Sequence, residues 1–323
     1  MAVTIKDVAK KAGVNASTVS RVIKDSSEIS DRTKTKVRKA MMELGYTRNA
    51  AARILASGKA NTIGVVFPPV LDKSSQPFFM KILTAINETA RKFNVSIAIA
   101  TGHTQTDLKK QVRMMYSERR VDGFIVLYAG KTDIIREYLL GNSIPFVLVG
   151  TPSEQQNEIT HIDNDNKLLG REAVRHLATL GHRNIAFVTD TTDGEVFSER
   201  YQGFSEEMVS QNLTKSLVKF DRSFSIGRET ALVVMDDVLT LKVMERLNAL
   251  GFRVPDDISI ITYNNSIFGT ITHPFLTTFD INVVRLGQAA VEKFLDLLNN
   301  NPSYHEKTVI PFELILREST KAR

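Results

Sequence analysis

Four polar residues in the second half of the chain have the types and positions needed to bind a polyhydroxylated molecule. They are Asp165 in HIDNDN, Arg200 in FSERYQGF, Asp236 in VVMDDVL and Asn264 in TYNNS. Each follows an apolar run or opens a helical stretch. Carboxylate, amide and guanidinium groups together donate and accept hydrogen bonds, as sugar hydroxyls require. Arg200 is the strongest candidate because its fixed fork of donors can hold two adjacent hydroxyls.

Three aromatic residues in the first half, Phe78, Phe79 and Tyr128, are candidates for stacking on the apolar face of a sugar ring. Packing in a hydrophobic core explains each of them equally well, and a structural salt bridge is the alternative for Arg200. The residue types alone leave these alternatives open.

The same residues do not form a recognisable catalytic centre. A glycosidase needs two carboxylates that flank one bond, whereas the adjacent Asp236 and Asp237 must diverge. The six His show no metal-binding spacing, and the chain has no Cys, P-loop, GxGxxG or GxSxG motif. We therefore expect a binding protein rather than an enzyme, with no metal and no cofactor.

The elements that carry these residues alternate between strands and helices. Short β-branched runs (TIGVVF, VSIAIA, DGFIVL, IPFVLV) are separated by amphipathic stretches at 80–92, 108–119 and 133–140. The alternation of strands and helices repeats in the second half of the chain. Strands are predicted at 184–189, 231–235 and 258–263, and helices at 167–180, 199–211 and 237–250. Alternation of this kind predicts two lobes with parallel sheets. Ligands of such sheets bind beyond the carboxyl ends of the strands, here in the cleft between the lobes.

One connection in the second half is short. Only ten residues, 221–230, separate the strand near 217–220 from the strand that begins at Ala231. A parallel crossover that contains a helix needs at least about ten to twelve residues. We therefore expect a missing helix or a non-helical connection, which puts in doubt any ligand contact from this region, including one from Phe224.

The N-terminal segment TIKDVAKKAGVNASTVSRVI has the pattern of two short helices joined by a tight turn. Thr4 with Asp7 can cap the first helix, Gly13 supplies the turn, and Asn15 can cap the second helix. The exposed face of that second helix carries only small, hydroxyl or cationic side chains: Ala16, Ser17, Ser20 and Arg21. Such a face fits the major groove of DNA. We interpret the segment as a helix-turn-helix whose recognition helix is 16–23; an ordinary helical hairpin is the alternative.

Positive charge is concentrated in the same region. The whole chain has a net charge of +6, and residues 1–57 alone contain 12 Lys and Arg against five acidic residues. A third helix, capped by Ser30, adds cations suited to phosphates: Arg32, Lys34, Lys36, Arg38 and Lys39. This asymmetry is typical of a nucleic-acid-binding head on a neutral body. With no signal peptide and no apolar stretch of membrane-spanning length, we expect a cytoplasmic protein without a membrane partner.

The order of TIKDVAKKAGVNASTVSRVI, YTRNAAARILASG and TIGVVFP resembles the LacI/GalR family of bacterial transcription regulators over essentially the whole chain. VNASTVSRVI, HIDNDN and YNNS are similar to family members that regulate maltose and related α-glucoside operons. The resemblance implies a periplasmic-binding-protein-like body and a hinge helix in NAAARILASG whose Leu55 wedges into the minor groove. The family commonly has Asn-Asp where this chain has Asp236-Asp237.

These observations predict a helix-turn-helix domain at 1–48, a hinge helix and linker at 49–60, and a two-lobed effector-binding and dimerisation domain at 61–323. The candidate DNA contacts are Thr4, Asn15, Ala16, Ser17, Thr18, Ser20, Arg21, Asn49, Ala52 and Leu55. The candidate effector contacts, which include the positions implied by the resemblance, are Phe78, Tyr128, Asp165, Arg200, Asp236 and Asn264.

The function expected from this pattern is repression of a maltose or α-glucoside operon, with release of double-stranded operator DNA when a maltose-like sugar binds. One head can read only a half-site, so a homodimer is expected. Two alternatives remain open at this point. One is a regulator controlled by a protein corepressor; the other is a cytoplasmic sugar-binding protein without operator function.

Overall fold

The computed structural model describes residues 3–46, 58–69, 76–130, 133–300 and 305–323. The chain forms two compact units, Met1–Ala60 and Asn61–Arg323. The predicted hinge residues Asn49, Ala52 and Leu55 lie outside the described residues. No helix among those described is both long enough and apolar enough to cross a membrane.

The described residues of the first unit form three short helices, α1 (Ile5–Ala12), α2 (Ala16–Ile23) and α3 (Asp31–Glu43). Thr4 and Asp7 form the predicted capping box at the start of α1, and Gly13 ends that helix with φ of +59°. Val8, Val19 and Val37, one from each helix, are fully buried in a common core. The valine spacing therefore holds α2 against α1 and α3 and turns its polar face outward.

The second unit alternates strands and helices. In chain order these are β1 (Thr62–Val66), α4 (Gln76–Lys92), β2 (Ser96–Ala100), α5 (Gln105–Ser117), β3 (Gly123–Val126), α6 (Ile134–Gly141), β4 (Phe146–Val149), β5 (His161–Asp163), α7 (Asn166–Thr179), β6 (Asn184–Thr189), α8 (Glu195–Ser210), β7 (Thr214–Lys219), β8 (Ala231–Val234), α9 (Asp237–Ala249), β9 (Ser259–Tyr263), α10 (Phe268–Ile271), β10 (Thr277–Asp280), α11 (Val283–Asn300), β11 (Lys307–Val309) and β12 (Glu313–Ile315). The predicted helices are present, with ends shifted by a few residues; α8, for example, begins at Glu195 rather than Glu199.

Two six-stranded sheets form the two predicted lobes. The first has the order β11-β5-β4-β3-β1-β2 and the second β12-β10-β9-β8-β6-β7. Described strand pairs are parallel except β10 with β12. The chain crosses between the sheets three times, after β5, after β10 and after β11. Because α11 packs against α4 and β4, the first lobe is completed by a late segment of the chain.

The short connection between β7 and β8 is non-helical, as one of the two sequence-based expectations allowed. These strands flank β6, so the connection must cross one face of the sheet. Phe224 lies in that connection with 2% of its surface exposed. It packs with Phe220 and with side chains of β6, β8 and α9. One buried ring thus covers sheet surface where a crossover helix would otherwise lie, and Phe224 is a core residue.

Replacement of Phe224 by alanine is expected to lower the free energy of unfolding by about 3 kcal/mol, because it opens a cavity in the core of the second lobe. Urea unfolding measures the change. Leu217→Ala on the adjacent edge strand, where the side chain is 41% exposed, is the control and should cost much less. Equal stability of the Phe224 variant and the unchanged protein would contradict the assignment.

Candidate functional site

The outer face of α2 presents the side chains expected to contact DNA. Ser17 and Arg21 are exposed, whereas Ala16, Thr18 and Ser20 are half-buried. Asn15 occupies the N-cap position without a side-chain capping hydrogen bond, so its amide remains available. Thr4 differs: its hydroxyl donates to Asp7 Oδ2 at 2.7 Å and accepts from the Asp7 backbone N–H. The structure therefore gives Thr4 a capping role that a DNA contact would have to share.

Several cations of the head are engaged in ion pairs. Lys34 and Arg38 both reach Asp25 Oδ1, at 3.2 and 2.7 Å, and their hydrogen bonds and charges hold the pKa of this carboxyl below its usual value. Arg21 Nη1 lies 3.3 Å from Glu28 Oε2. Lys34 and Arg38, two of the five cations expected to meet phosphates, are thus positioned by a neighbouring acid.

Four of the six predicted effector residues lie around the carboxyl ends of β5, β8 and β9: Asp165, Arg200, Asp236 and Asn264. Arg200 on α8 is central and only 4% exposed. Its Nε donates to Asn166 Oδ1 and its Nη1 to the Met235 carbonyl, both at 3.0 Å. Its guanidinium carbon lies 4.1 Å from the centre of the Tyr263 ring. Within the described residues no carboxylate is within ion-pair distance of Arg200, so the salt bridge considered as the alternative role is not seen there. The second terminal nitrogen, Nη2, makes no hydrogen bond in the described part of the chain.

Asp165 and Asp236 each cap a helix. Asp165 Oδ1 accepts from the Leu168 N–H at 2.8 Å at the start of α7, and Asp236 Oδ1 accepts from the Leu239 N–H at 2.7 Å at the start of α9. One oxygen of each carboxylate therefore fixes the local backbone. The same hydrogen bond sets the direction in which the other oxygen points. Asp237 diverges from Asp236, as expected for neighbours, and accepts from the Ser266 N–H at 3.0 Å.

Two consecutive asparagines follow β9 with left-handed backbone angles, φ of +86° at Asn264 and +48° at Asn265. Asparagine tolerates this conformation better than most residues. The Asn265 side chain donates to Asp280 and accepts from Arg317. The side-chain amide of Asn264 makes no hydrogen bond within the described part of the chain. Of the two, Asn264 is therefore the residue able to bind a ligand.

Two further acids, buried Asp163 and half-buried Glu199, act electrostatically on Arg200, and the sequence-based reasoning did not identify them. Asp163 accepts hydrogen bonds from the N–H and hydroxyl of Thr151, and burial raises its pKa. Burial, followed by the charge of Asp163, raises the pKa of Glu199 to about 7. These charges offset part of the desolvation of Arg200, whose pKa burial lowers. HIDNDN and FSERYQGF contain these acids, but nothing in the sequence marked Asp163 as buried or Glu199 as half-buried.

The first-lobe aromatics have structural contacts. The Tyr128 hydroxyl donates to Asp133 Oδ1 at 3.3 Å, and burial, together with that carboxylate, raises the pKa of Tyr128. Phe78 packs edge-on against Phe79, with ring centres 5.3 Å apart. Phe78 and Phe79 are both half-buried near the start of α4. The core-packing alternative describes the contacts seen here, and any stacking on an effector would use the remaining surface.

Three family models match the chain. Residues 4–49 match bacterial regulatory proteins of the lacI family. Residues 60–219 match the periplasmic binding proteins and sugar binding domain of the LacI family, and residues 174–320 match a periplasmic binding protein-like domain. The HTH-type transcriptional regulator MalR of Staphylococcus xylosus is 31% identical, over 98% of both chains. The chain belongs to the lacI family of bacterial regulatory proteins.

Other relatives and solved structures agree with this assignment. The HTH-type transcriptional repressor PurR of Vibrio vulnificus is 32% identical over 98% of both chains. The lac repressor dimer bound to operator and the anti-inducer ONPF superposes with a TM-score of 0.84, at 25% identity over 100% of both chains. The probable maltose operon repressor malR from Staphylococcus aureus superposes at 0.75, with 27% identity over 83% of this chain and 100% of that one. This lacI-family protein is a DNA-binding transcription regulator and not an enzyme.

Asp236 in this regulator is expected to limit stability at neutral pH. Burial, together with Asp237 and Asp190, raises its pKa from 3.8 to about 6. The folded protein therefore holds this proton more tightly than the unfolded chain, and that stabilisation is lost as pH rises through 6. An asparagine at this position would keep the helix cap without the buried charge. We expect Asp236→Asn to raise the free energy of unfolding by about 1–3 kcal/mol at pH 8 and to change it little at pH 4.

Urea unfolding at the two pH values measures this difference. Asp296→Asn, at an exposed position of α11, is the control and should have little effect at either pH. A stabilisation of Asp236→Asn that is equal at pH 4 and pH 8 would contradict the burial argument.

Proposed function

We propose that this regulator represses a maltose or α-glucoside utilisation operon in the cytoplasm and releases the operator when a maltose-like sugar binds between its lobes. The observation that carries the proposal is the set of hydrogen-bonding groups left available around buried Arg200. They are its own second terminal nitrogen, one oxygen each of Asp165 and Asp236, and the amide of Asn264. This mixture of fixed donors and acceptors suits neighbouring hydroxyl groups. The similarity to MalR proteins supports the same ligand class.

The release mechanism that we propose is a population shift. A sugar that forms hydrogen bonds with groups on both lobes favours one angle between the two lobes. That change would reach the DNA through the segment at 49–58, because a sequence of about ten residues is too short to form a stable helix alone in water. A small displacement of the lobes could therefore decide whether this segment is helical on the operator.

The active form that we propose is a homodimer. A two-fold operator requires two heads, since each head reads one half-site. The second unit exposes apolar side chains of both lobes, among them Met80 on α4 and Ile267 and Ile271 near α10, at 59, 65 and 60%. Apolar surface of this kind favours association with a second copy. The lac repressor structure that superposes on this chain is a dimer on its operator.

Calorimetric titration of the protein with maltose, and separately with glucose and with a purine base, tests the ligand class. We expect a dissociation constant for maltose in the micromolar range and much weaker binding of the other two. Purine binding without maltose binding would contradict the proposal. If none of the three binds while the operator is still bound, control by maltose or glucose is excluded and a protein corepressor becomes the better explanation.

A further inference from the structure

The three chain segments that connect the lobes meet at one buried side chain. These segments follow β5, β10 and β11. Asn164, in the first of them, is 3% exposed. Its Nδ2 donates to the Ile281 carbonyl in the second segment at 3.0 Å and to the Ile310 carbonyl in the third at 2.8 Å. Both hydrogens of one amide are therefore used to hold the other two connections.

The residues around Asn164 extend these contacts into each lobe. The Ile310 N–H donates to the Asp163 carbonyl at 2.8 Å, and the Asp163 carboxylate is held by Thr151, two residues after β4. On the other side, Asn166 accepts the hydrogen bond from Arg200 Nε. Four consecutive residues, 163–166, thus join the first-lobe sheet, the three connections and the central residue of the effector site.

We propose that Asn164 is a positioning residue that makes the three connections pivot as one unit, so that sugar binding at Arg200 is converted into a defined rotation of the lobes. This inference rests on the proposed function for the identity of the sugar, but not for the mechanical role. Hinge motions concentrate backbone changes in a few connecting residues. Without these hydrogen bonds, the backbone angles of the three connections could change independently. The lobes would then rotate without a fixed axis.

The side-chain chemistry required here is specific. Only a primary amide of this length supplies two donors to two carbonyls; aspartate has the same shape with no donor, and leucine has neither donor nor acceptor. A missing donor would leave two buried carbonyls unpaired. We therefore expect loss of the Asn164 amide to weaken the coupling between sugar binding and operator binding more than it weakens sugar binding itself.

The experiment measures the distance between the lobes. Since the chain has no Cys, spin labels can be placed at two exposed positions, Glu88→Cys on α4 and Glu245→Cys on α9. Labelled protein is diluted into unlabelled protein so that only distances within one chain are recorded. Without any ligand, Asn164→Ala should broaden the distance distribution about twofold. With maltose, the ratio of operator dissociation constants with and without sugar should fall about fivefold or more, while maltose affinity changes little.

The matched control is Ser319→Ala. Ser319 is fully buried, donates to the Ile260 carbonyl and accepts from the Thr277 N–H, and all three residues lie within the second lobe. Ser319→Ala should lose about as much free energy of unfolding as Asn164→Ala. It should change neither the distance distribution between the lobes nor the coupling between maltose and operator binding. If Asn164→Ala keeps a narrow distribution in the absence of ligand, the proposal is overturned. If maltose leaves the operator affinity of the unchanged protein the same, the proposed sugar is wrong. The ligand-free distance measurement still decides the role of Asn164.

Should Asn164→Ala fail to fold, hydrogen exchange of the unchanged protein provides the second test. On addition of maltose, amide protection at 164–166, at 281–282 and at Ile310 and Phe312 should change together. A change confined to the first segment would overturn the proposal.

Discussion

Arg200→Lys should bind maltose at least about tenfold more weakly, and Arg200→Ala about a hundredfold more weakly, while both still bind operator DNA. The reason is geometric. Two of the Arg200 nitrogens are fixed by Asn166 and the Met235 carbonyl, and the ring of Tyr263 covers one face of the guanidinium. The orientation of the remaining nitrogen, Nη2, is therefore fixed, and it is the atom that the proposed sugar would accept a hydrogen bond from. Lysine keeps the charge but loses the planar fork.

Stability must be measured alongside affinity, because Arg200→Ala leaves buried acceptors of Asn166 and Met235 without a donor. We expect that variant to lose about 2–4 kcal/mol of unfolding free energy, and the lysine variant less. Calorimetric titration at a temperature where both are folded gives the affinities. Arg171→Ala is the control, since Arg171 also bridges α7 and α8 through Glu206 but its side chain is 37% exposed, far more than that of Arg200. Unchanged maltose affinity in Arg200→Lys would remove Arg200 from the effector site.

Arg21→Ala is expected to lower operator affinity about tenfold to a hundredfold, which corresponds to about 1–3 kcal/mol. Arg21 is exposed on the outer face of α2, and its surface ion pair with Glu28 contributes little to stability. The head should therefore stay folded. A contact to a base edge would relax sequence preference at one position, whereas a phosphate contact would reduce the salt slope by about one.

Glu28→Gln provides a matched variant that changes the same ion pair from the other side. It frees Arg21 and removes a negative charge near DNA, so operator affinity should stay equal or rise. Fluorescence anisotropy with a palindromic fragment, repeated at several salt concentrations, measures both variants. If both lose affinity equally, the ion pair rather than Arg21 itself would be the important feature.

Local sequence patterns were sufficient for the elements and their order. The Thr4–Asp7 spacing predicts the capping box that is present, and valines at helical spacing predict the buried side of α2. The β-branched runs predict buried parallel strands because both faces of such strands are covered. The helix-capping roles of Asp165 and Asp236 could also have been predicted, since an acid directly before a helical stretch is a common N-cap.

Contacts between distant parts of the chain could not be predicted in this way. Asn164 forms hydrogen bonds with two carbonyls that lie 117 and 146 positions further along the chain. Arg200 forms one with a carbonyl 35 positions further along. No local periodicity encodes such partners. Phe224 shows the same limit: the shortness of its segment was visible, but its burial depends on how β6, β8 and α9 assemble around it.

One titration tests sugar-controlled operator binding as a whole: a palindromic operator fragment titrated with the protein, with and without maltose, at two salt concentrations. We expect tight binding that weakens as salt increases and weakens further when maltose is present. Tight, salt-dependent binding that maltose leaves unchanged would keep the regulator but contradict control by this sugar. Absence of salt-dependent operator binding would contradict the role assigned to the basic head.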